Sequence, residues 1–178
     1  MKIVIALTAL LVLPAAALPV MAADKPASEL NTYGRYEMVT LPQIGQTLKA
    51  KMDTGAMTAS LSAKDIERFK RDGGEWVRFR LAVKDADDTV YEQPLARITE
   101  IKNRAEEGTN VTSSSPSTTE RPVVNLEVCV GHQSRTVEVN LTDRTHFDYP
   151  LLIGASAIRE LDGAINPAER YTVERPEC

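Results

Sequence analysis

The sequence predicts a mainly β domain, a small closed β-barrel with one or two short helices. Three observations support this prediction: apolar and polar residues alternate in several short runs, turn residues separate the runs, and only two short segments have a helical pattern. Of the 178 residues, 43% are hydrophobic and 26% are charged, which suits one globular domain with a buried core. The net charge of −4 shows no excess of basic residues, so nucleic acid is not an expected partner.

The N-terminus has the pattern of a secretory signal peptide, assigned to residues 1–22. A basic start precedes an almost wholly apolar run over residues 3–20, and the pattern favours cleavage after Ala22 or Ala23. A retained membrane anchor is the alternative, but two prolines interrupt the apolar run. We therefore expect a mature protein secreted into the periplasm through a cleaved signal peptide.

The mature chain begins with a predicted flexible segment over residues 23–35, and residues 36–178 form the predicted domain. Two short runs at 36–41 and 46–52 flank a turn signal, which predicts a β-hairpin. Ser62 and Asp65 have the spacing of a capping box, so a helix is predicted over residues 63–71.

Further strands are predicted along the rest of the domain, over residues 77–83, 89–93 and 95–101. A Ser/Thr-rich stretch at about 103–119 has almost nothing to bury and is predicted to be a long exposed loop. The alternating apolar residues of 124–130 and 137–141 predict the strongest hairpin in the chain. A continuous apolar run at 151–154 predicts a buried strand, and a short helix is predicted over 155–161.

The two cysteines, Cys129 and Cys178, leave two alternatives open. In an oxidising compartment they can form one disulfide bond. Alternatively, Cys129 is a packed thiol and Cys178 a thiol at a frayed terminus. The sequence favours neither alternative.

A chemically suggestive motif follows the first predicted hairpin. Asp53 comes at the end of a predicted strand, and Thr54 and Gly55 follow it at once. This order can place a carboxylate on a tight exposed turn, where glycine allows close backbone approach and the threonine hydroxyl can donate a hydrogen bond. A second element, the apolar-apolar-glycine run that ends at Gly154, precedes the predicted short helix.

Together and in this order, the two elements resemble the aspartic peptidase half-site of retropepsins, in which an apolar-glycine strand packs beneath the Asp-Thr-Gly turn. The resemblance extends to a bacterial family described as retropepsin-like aspartic endopeptidases and also labelled ATP-dependent zinc proteases. It covers residues 36–165, and the segments that carry it are 51–56, 58–61, 120–124, 137–144 and 149–154.

This resemblance implies a retropepsin-like (acid protease) β-barrel that hydrolyses peptide bonds. Asp53 is then the catalytic carboxylate, and the residues that support its turn are Thr54, Gly55, Ala56 and Gly154. Aspartic peptidases use two carboxylates that share one proton, one acting as base toward a water and the other donating to the carbonyl oxygen. Since the chain has one Asp-Thr-Gly motif, it must form a homodimer or find another acid within one chain.

Three further residues in the family-like segments are candidates for a second acid or an orienting role. Asp143 is the candidate second acid, although Asp143 and Arg144 also fit an ion pair that follows a strand. Arg121 is a candidate for orienting the substrate or for a structural role.

Two departures from the family pattern favour a second interpretation. Members commonly carry His where Ser62 stands and Arg where Ala155 stands. The alternative function is therefore a catalytically idle periplasmic module that binds a peptide or protein on the same fold. The resemblance also implies an envelope partner, either a peptide ligase or a transglutaminase-like membrane protein, so an amide-bonded peptide is the expected ligand in both cases.

No cofactor is predicted, despite the zinc and ATP in the family label. The chain lacks a His-Glu-x-x-His run, paired cysteines and a phosphate-binding glycine loop. Its two histidines are His132 and His146, and a zinc site combining them with Asp148 is the remaining alternative to two exposed histidines.

Overall fold

The computed structural model describes residues 30–102 and 118–178. Residues 1–22, which are predicted to be a signal peptide, and most of the predicted loop at 103–119 lie outside the described residues. The described elements are β1 (Asn31–Gly34), β2 (Tyr36–Leu41), β3 (Gln46–Asp53), β4 (Ala59–Arg71), β5 (Gly74–Leu81), β6 (Tyr91–Lys102), β7 (Thr118–Val130), β8 (Gln133–Thr142), β9 (Leu151–Gly154), α1 (Ala155–Glu160) and β10 (Gly163–Asn166). In this part of the chain, no helix has the length and hydrophobicity that crossing a bilayer requires.

Backbone pairing closes the central strands into a ring. β2 pairs antiparallel with β3, β3 pairs parallel with β9, and β9 pairs antiparallel with the start of β4. β4 then pairs parallel with β8, β8 pairs antiparallel with β7, and β7 returns to β2 at its far end. The second half of β4 pairs with β5, which continues through β6 back to β7. The predicted mainly β fold is confirmed.

The core lies inside this ring and is mostly aliphatic. Alternate side chains of β7 and β8 point inward, so the predicted hairpin is confirmed, and its valines and leucine (Val124, Leu126, Val128, Val137, Val139) are buried. Burying side chains of this size contributes about 1.5–3 kcal/mol each. The first predicted hairpin, now β2 and β3, and the buried strand β9 followed by α1 are also confirmed.

The helix predicted over residues 63–71 is wrong, because these residues belong to the long strand β4. The hydroxyl of Ser62 does not cap a helix; it is fully buried and donates to the carbonyl oxygen of Ala82 at 2.8 Å. Asp65 has a φ of 52° and lies at the irregularity between Lys64 and Glu67 in the β4–β5 ladder. The end of β4 is largely exposed, so its polar residues do not alternate with apolar ones and the strand period is hidden.

Three boundaries also differ from the prediction. The flexible segment assigned to residues 23–35 contains β1, which pairs in parallel with β10. The two strands predicted at 89–93 and 95–101 form the single strand β6, with an irregularity between Leu95 and Arg97. Thr118 and Thr119, assigned to the long loop, already belong to β7 and pair with the end of β6.

The C-terminal segment is fastened to the ring at two places. Cys129 and Cys178 form a disulfide bond, which decides between the two alternatives left by the sequence and links residues 49 apart. Near β2, the buried carboxylate of Glu37 accepts hydrogen bonds from the amides of Gly34 at 2.6 Å and Thr172 at 3.0 Å. The segment is therefore part of the folded domain.

Candidate active site

The Asp-Thr-Gly segment forms a tight turn where β3 ends. Asp53 is the last residue of β3 and is the ladder partner of Gly154, the last residue of β9. The Gly55 amide donates to Asp53 Oδ1 at 3.0 Å, and the Ala56 amide donates to the Asp53 carbonyl oxygen at 3.3 Å. The turn therefore folds around Asp53, whose side chain stays 24% exposed. Thr54 is exposed, and its hydroxyl makes no hydrogen bond within the described residues.

Gly154 lies directly beneath the chain that follows this turn. A Cβ atom at position 154 would be 2.6 Å from the carbonyl carbon and oxygen of Thr58, so only glycine fits without a backbone shift. The first amides of α1 hold the same segment: Ala155 donates to the Ala56 carbonyl at 2.7 Å, and Ser156 donates to the Met57 carbonyl at 3.0 Å. The glycine and the start of the helix thus fix the backbone around Asp53.

Lys51 pairs with Asp53 and stabilises its ionised form in the single chain. The two residues are two positions apart on β3, so their side chains share a face, and Lys51 Nζ lies 3.0 Å from Asp53 Oδ2. Partial burial raises the pKa of Asp53, but the Lys51 hydrogen bond, the Gly55 amide and the Lys51 charge together outweigh it and lower the pKa. Asp53 is consequently an ionised carboxylate at neutral pH, the form needed of a base.

A cavity of about 420 Å³ opens beside this carboxylate. Its lining combines charged and aromatic side chains: Tyr36, Lys51, Asp53, Arg144, Phe147, Asp148, Tyr149 and Leu152. The rings of Tyr36 and Tyr149 stack with centroids 4.1 Å apart and make one wall. Two larger cavities, of about 510 and 520 Å³, adjoin β4 and are lined by Asp143, but neither is lined by Asp53. We take the cavity of about 420 Å³ as the candidate site because Asp53 lines it.

Of the two neighbours Asp143 and Arg144, only Arg144 lines the cavity that contains Asp53. Asp143 is exposed, its Oδ1 accepts a hydrogen bond from the Thr145 amide at 2.8 Å, and hydrogen bonds from Thr145 lower its pKa. These features do not suit an acid that must stay protonated. Within the described residues the Asp143–Arg144 ion pair considered from the sequence does not form.

Arg144 is a buried guanidinium, 8% exposed, that stacks on the Phe147 ring at 4.6 Å. Burial lowers the pKa of Arg144 and the charge of Arg121 lowers it further, whereas the charge of Asp53 raises it. The backbone amide of Arg144 donates to Ser62 Oγ at 3.1 Å. Ser62 therefore anchors the start of the loop that carries Arg144.

Arg121 belongs to a polar network behind the site. Its Nη1 donates to Asn140 Oδ1 at 3.4 Å, and burial lowers its pKa. The buried Asn140 in turn donates to the Ala59 carbonyl at 2.7 Å and accepts from Ser60 Oγ at 3.0 Å. Arg121 thus supports the start of β4, which continues from the Asp53 turn. Sequence analysis missed Asn140, because strand alternation predicts that this position faces solvent.

Sequence analysis also missed Lys51 and the two stacked tyrosines, and it considered Asp148 only as a zinc ligand. The spacing of Lys51 and Asp53 on a strand could have identified the first, because residues i and i+2 share a face. Asp148 and Tyr149 reach the site because β9, which follows them, pairs with β3. No local sequence pattern predicts this pairing of strands that are distant in the chain.

The structure does not assemble the alternative zinc site. His132 lies in the turn between β7 and β8, 3.5 Å from Glu174, whereas Asp148 lines the Asp53 cavity. Among the residues that the structure describes, no group of three or more His, Cys, Asp or Glu side chains is placed to hold a metal ion.

Comparison with known proteins relates this site to a family. Residues 32–176 match the RimB-like family model, described as "Retropepsin-like aspartic endopeptidase RimB". The crystal structure of Lpg0085, a protein of unknown function from Legionella pneumophila, is similar with a TM-score of 0.66 and 35% sequence identity, over 81% of this chain and 98% of that one.

Two curated relatives carry the name "Probable alpha-L-glutamate ligase". The protein from Parasynechococcus marenigrum is 30% identical over 126 residues, which are 70% of this chain and 26% of the ligase. The protein from Shewanella pealeana is 29% identical over 143 residues, 78% of this chain and 29% of the ligase. The chain thus spans less than a third of the length of these relatives. Because the family model covers most of the sequence, the chain belongs to the RimB-like family of retropepsin-like aspartic endopeptidases.

Proposed function

We propose that the protein is an aspartic peptidase that hydrolyses an amide bond of a peptide, with Asp53 as the reacting carboxylate. The observation that carries this proposal is the position of Asp53: an ionised carboxylate on a partly exposed turn, held by Gly55 and opening into a cavity. Membership of the RimB-like family supports the same chemistry. The expected location is the periplasm, on the signal-peptide pattern of residues 1–22.

The reaction requires a second acid, which we propose to be Asp53 of a second copy related by a two-fold axis. Met57 and Phe147, 65% and 62% exposed, lie beside the turn and in the cavity lining, where an approaching copy or a substrate would cover them. Two carboxylates at close range raise one pKa, so one is protonated. Lys51 must then release Oδ2, which is a small cost because a partly exposed ion pair contributes about 0.2–1 kcal/mol.

In this dyad the ionised carboxylate takes a proton from a water, and the resulting hydroxide adds to the amide carbon. The protonated carboxyl donates its proton to the carbonyl oxygen. The carboxyl that took the proton of the water then gives it to the amine nitrogen as the C–N bond breaks, and one hydroxyl of the tetrahedral intermediate returns its proton to the other carboxylate. The products are a carboxylic acid and an amine, and the dyad again holds one proton.

The proposed substrate class is a peptide that contains glutamate. The curated relatives are named glutamate ligases, and this chain resembles a portion of each that is less than a third of its length. A hydrolase acting on the amide bonds that such a ligase makes would need a site compatible with negative charge. Lys51 and Arg144 both line the cavity and support this choice. An envelope peptide ligase or a transglutaminase-like membrane protein is the proposed partner.

The test compares Asp53→Asn with Asp143→Asn, because both substitutions remove one partly or fully exposed carboxylate. Purified mature protein should cleave short glutamyl peptides best at mildly acidic pH. Asp53→Asn should lower kcat/KM by about 10³-fold or more without changing the circular dichroism spectrum, and Asp143→Asn should keep the parent activity. Normal hydrolysis by Asp53→Asn would contradict the proposal, and a strictly monomeric active particle in sedimentation would contradict the shared dyad.

One observation favours the second function, recognition of an acidic peptide without hydrolysis. Lys51 Nζ already contacts Asp53 Oδ2, the oxygen that a partner acid would approach to share a proton. If the ion pair persists in the assembled protein, Asp53 is a fixed anion and the cavity is a binding site only. Retained peptide affinity with no turnover in any oligomeric state would favour this function.

A further inference from the structure

We propose that Arg144 is the receptor for a ligand carboxylate in the Asp53 cavity and therefore selects peptides with an acidic side chain. This inference rests on the proposed function for the kind of ligand, but it concerns recognition and not bond cleavage. Nothing in the catalytic scheme requires Arg144, because the reaction uses only carboxylates and water.

The guanidinium of Arg144 is buried without a direct ion-pair partner among the described residues, although the charge of Asp53 acts on it from beyond ion-pair distance. The residue is 8% exposed, its Nε atom is buried with no hydrogen-bond partner, and no ion pair within residues 30–102 and 118–178 includes it. A guanidinium stays protonated in proteins and presents a planar fork of donors that matches a carboxylate. Burying such a charge unpaired is costly, so its retention at the wall of a cavity indicates a partner supplied from outside.

The neighbouring acids do not serve as this partner. Asp53 directs its two carboxylate oxygens to Lys51 and to the Gly55 amide. Asp143 accepts a hydrogen bond from the Thr145 amide and makes no ion pair with Arg144 within the described residues, although both line one of the two larger cavities. Asp148 lines the Asp53 cavity but is exposed and lies outside ion-pair distance of the guanidinium.

The surroundings hold the guanidinium ready for a ligand. Ser62 Oγ fixes the backbone of Arg144 at 3.1 Å, and the Phe147 ring supports the flat face of the guanidinium at 4.6 Å. The charge of Arg121 adds positive potential and lowers the pKa of Arg144. The stacked rings of Tyr36 and Tyr149 supply an apolar wall for the methylene groups of an acidic side chain. A fixed donor beside an apolar wall is the arrangement that gives specificity at low entropic cost.

The experiment separates binding from turnover with two capped peptides of one sequence, in which three glutamates of the first are replaced by glutamines in the second. The parent should prefer the glutamate peptide, and Arg144→Gln should reduce this preference by about 10- to 100-fold in kcat/KM. Arg144→Lys should retain part of the preference for the glutamate peptide, because lysine supplies the positive charge but lacks the planar fork of guanidinium N–H donors. Arg175→Gln is the matched control, since Arg175 is exposed and does not line the cavity.

Calorimetric binding to the Asp53→Asn variant gives a readout that does not require hydrolysis. Asp53→Asn should bind the glutamate peptide, and Asp53→Asn combined with Arg144→Gln should bind it at least tenfold more weakly. If Arg144→Gln weakens binding in this way but the parent protein hydrolyses neither peptide, the proposed peptidase function is refuted and carboxylate recognition by Arg144 is supported. Hydrolysis with equal rates on both peptides, or a preference unchanged in Arg144→Gln, would overturn the recognition and leave the peptidase standing. Thermal unfolding of Arg144→Gln should occur at or above the parent temperature, whereas a purely structural arginine would lower it.

Discussion

Replacing Gly154 by alanine tests whether the strand beneath the Asp53 turn sets the geometry of the site. The new Cβ atom would lie 2.6 Å from the carbonyl carbon and oxygen of Thr58 and 2.8 Å from the Met57 carbonyl oxygen. Ordinary contact begins at 3.4 Å, so the backbone at residues 57–58 must move by about 0.8 Å. Because the atoms that resist are backbone and not a flexible side chain, the strain cannot be relieved by a rotamer change.

The same movement stretches the hydrogen bonds from Ala155 to Ala56 and from Ser156 to Met57, now 2.7 and 3.0 Å. Overpacking of this kind costs about 1–3 kcal/mol in the free energy of unfolding. For a domain of this size, that corresponds to about 2–4 °C in Tm for each kcal/mol. A displacement of the reacting carboxylate approaching 1 Å should also lower kcat/KM by about 10²-fold.

Denaturant unfolding and peptide hydrolysis measure the two effects. Gly74→Ala is the matched control, because a Cβ at position 74 meets only ordinary contacts at 3.5 Å or more. This control should leave the free energy of unfolding within about 1 kcal/mol of the parent and its activity unchanged. A Gly154→Ala protein as stable and as active as the parent would refute the close packing of β9 against the turn.

Two further predictions concern the charge beside the turn and the C-terminal segment. Lys51→Met removes the ion pair that holds the pKa of Asp53 down in the single chain, so this pKa should rise when Asp53 is titrated by NMR in the unassembled protein; an unchanged pKa would contradict the role of Lys51. Because the pKa of Asp53 is lower in the folded than in the unfolded chain, its ionised form stabilises the fold at pH values above the unfolded pKa. This stabilisation is lost as the pH falls through the folded pKa. The free energy of unfolding of Lys51→Met should therefore depend less on pH in this acidic range. Reducing the Cys129–Cys178 disulfide should lower the free energy of unfolding by about 2–4 kcal/mol in denaturant titrations, and an unchanged midpoint would show that the C-terminal segment is held by its hydrogen bonds alone.

Local patterns in the sequence predicted the elements whose two faces differ in polarity. The valines at positions 124, 128, 137 and 139 alternate with polar residues, and this alternation identified the β7–β8 hairpin correctly. The same logic failed for residues 63–71, where Ser62 and Asp65 have the spacing of a helix cap but Ser62 bonds to a carbonyl across the sheet. Because the end of β4 is largely exposed, hydrophobicity could not distinguish strand from helix there.

The sequence by itself determined the mainly β class and the position of Asp53 at the end of a strand. Both follow from residue order, because the side-chain period of a strand and the chemistry of an Asp-Thr-Gly turn are local properties. Only the tertiary structure decided what surrounds the carboxylate. The parallel pairing of β3 with β9 joins residues about one hundred positions apart and brings Arg144, Asp148 and Tyr149 to the cavity of Asp53. Such contacts depend on how strands distant in the chain close into a ring, and no local periodicity encodes that closure.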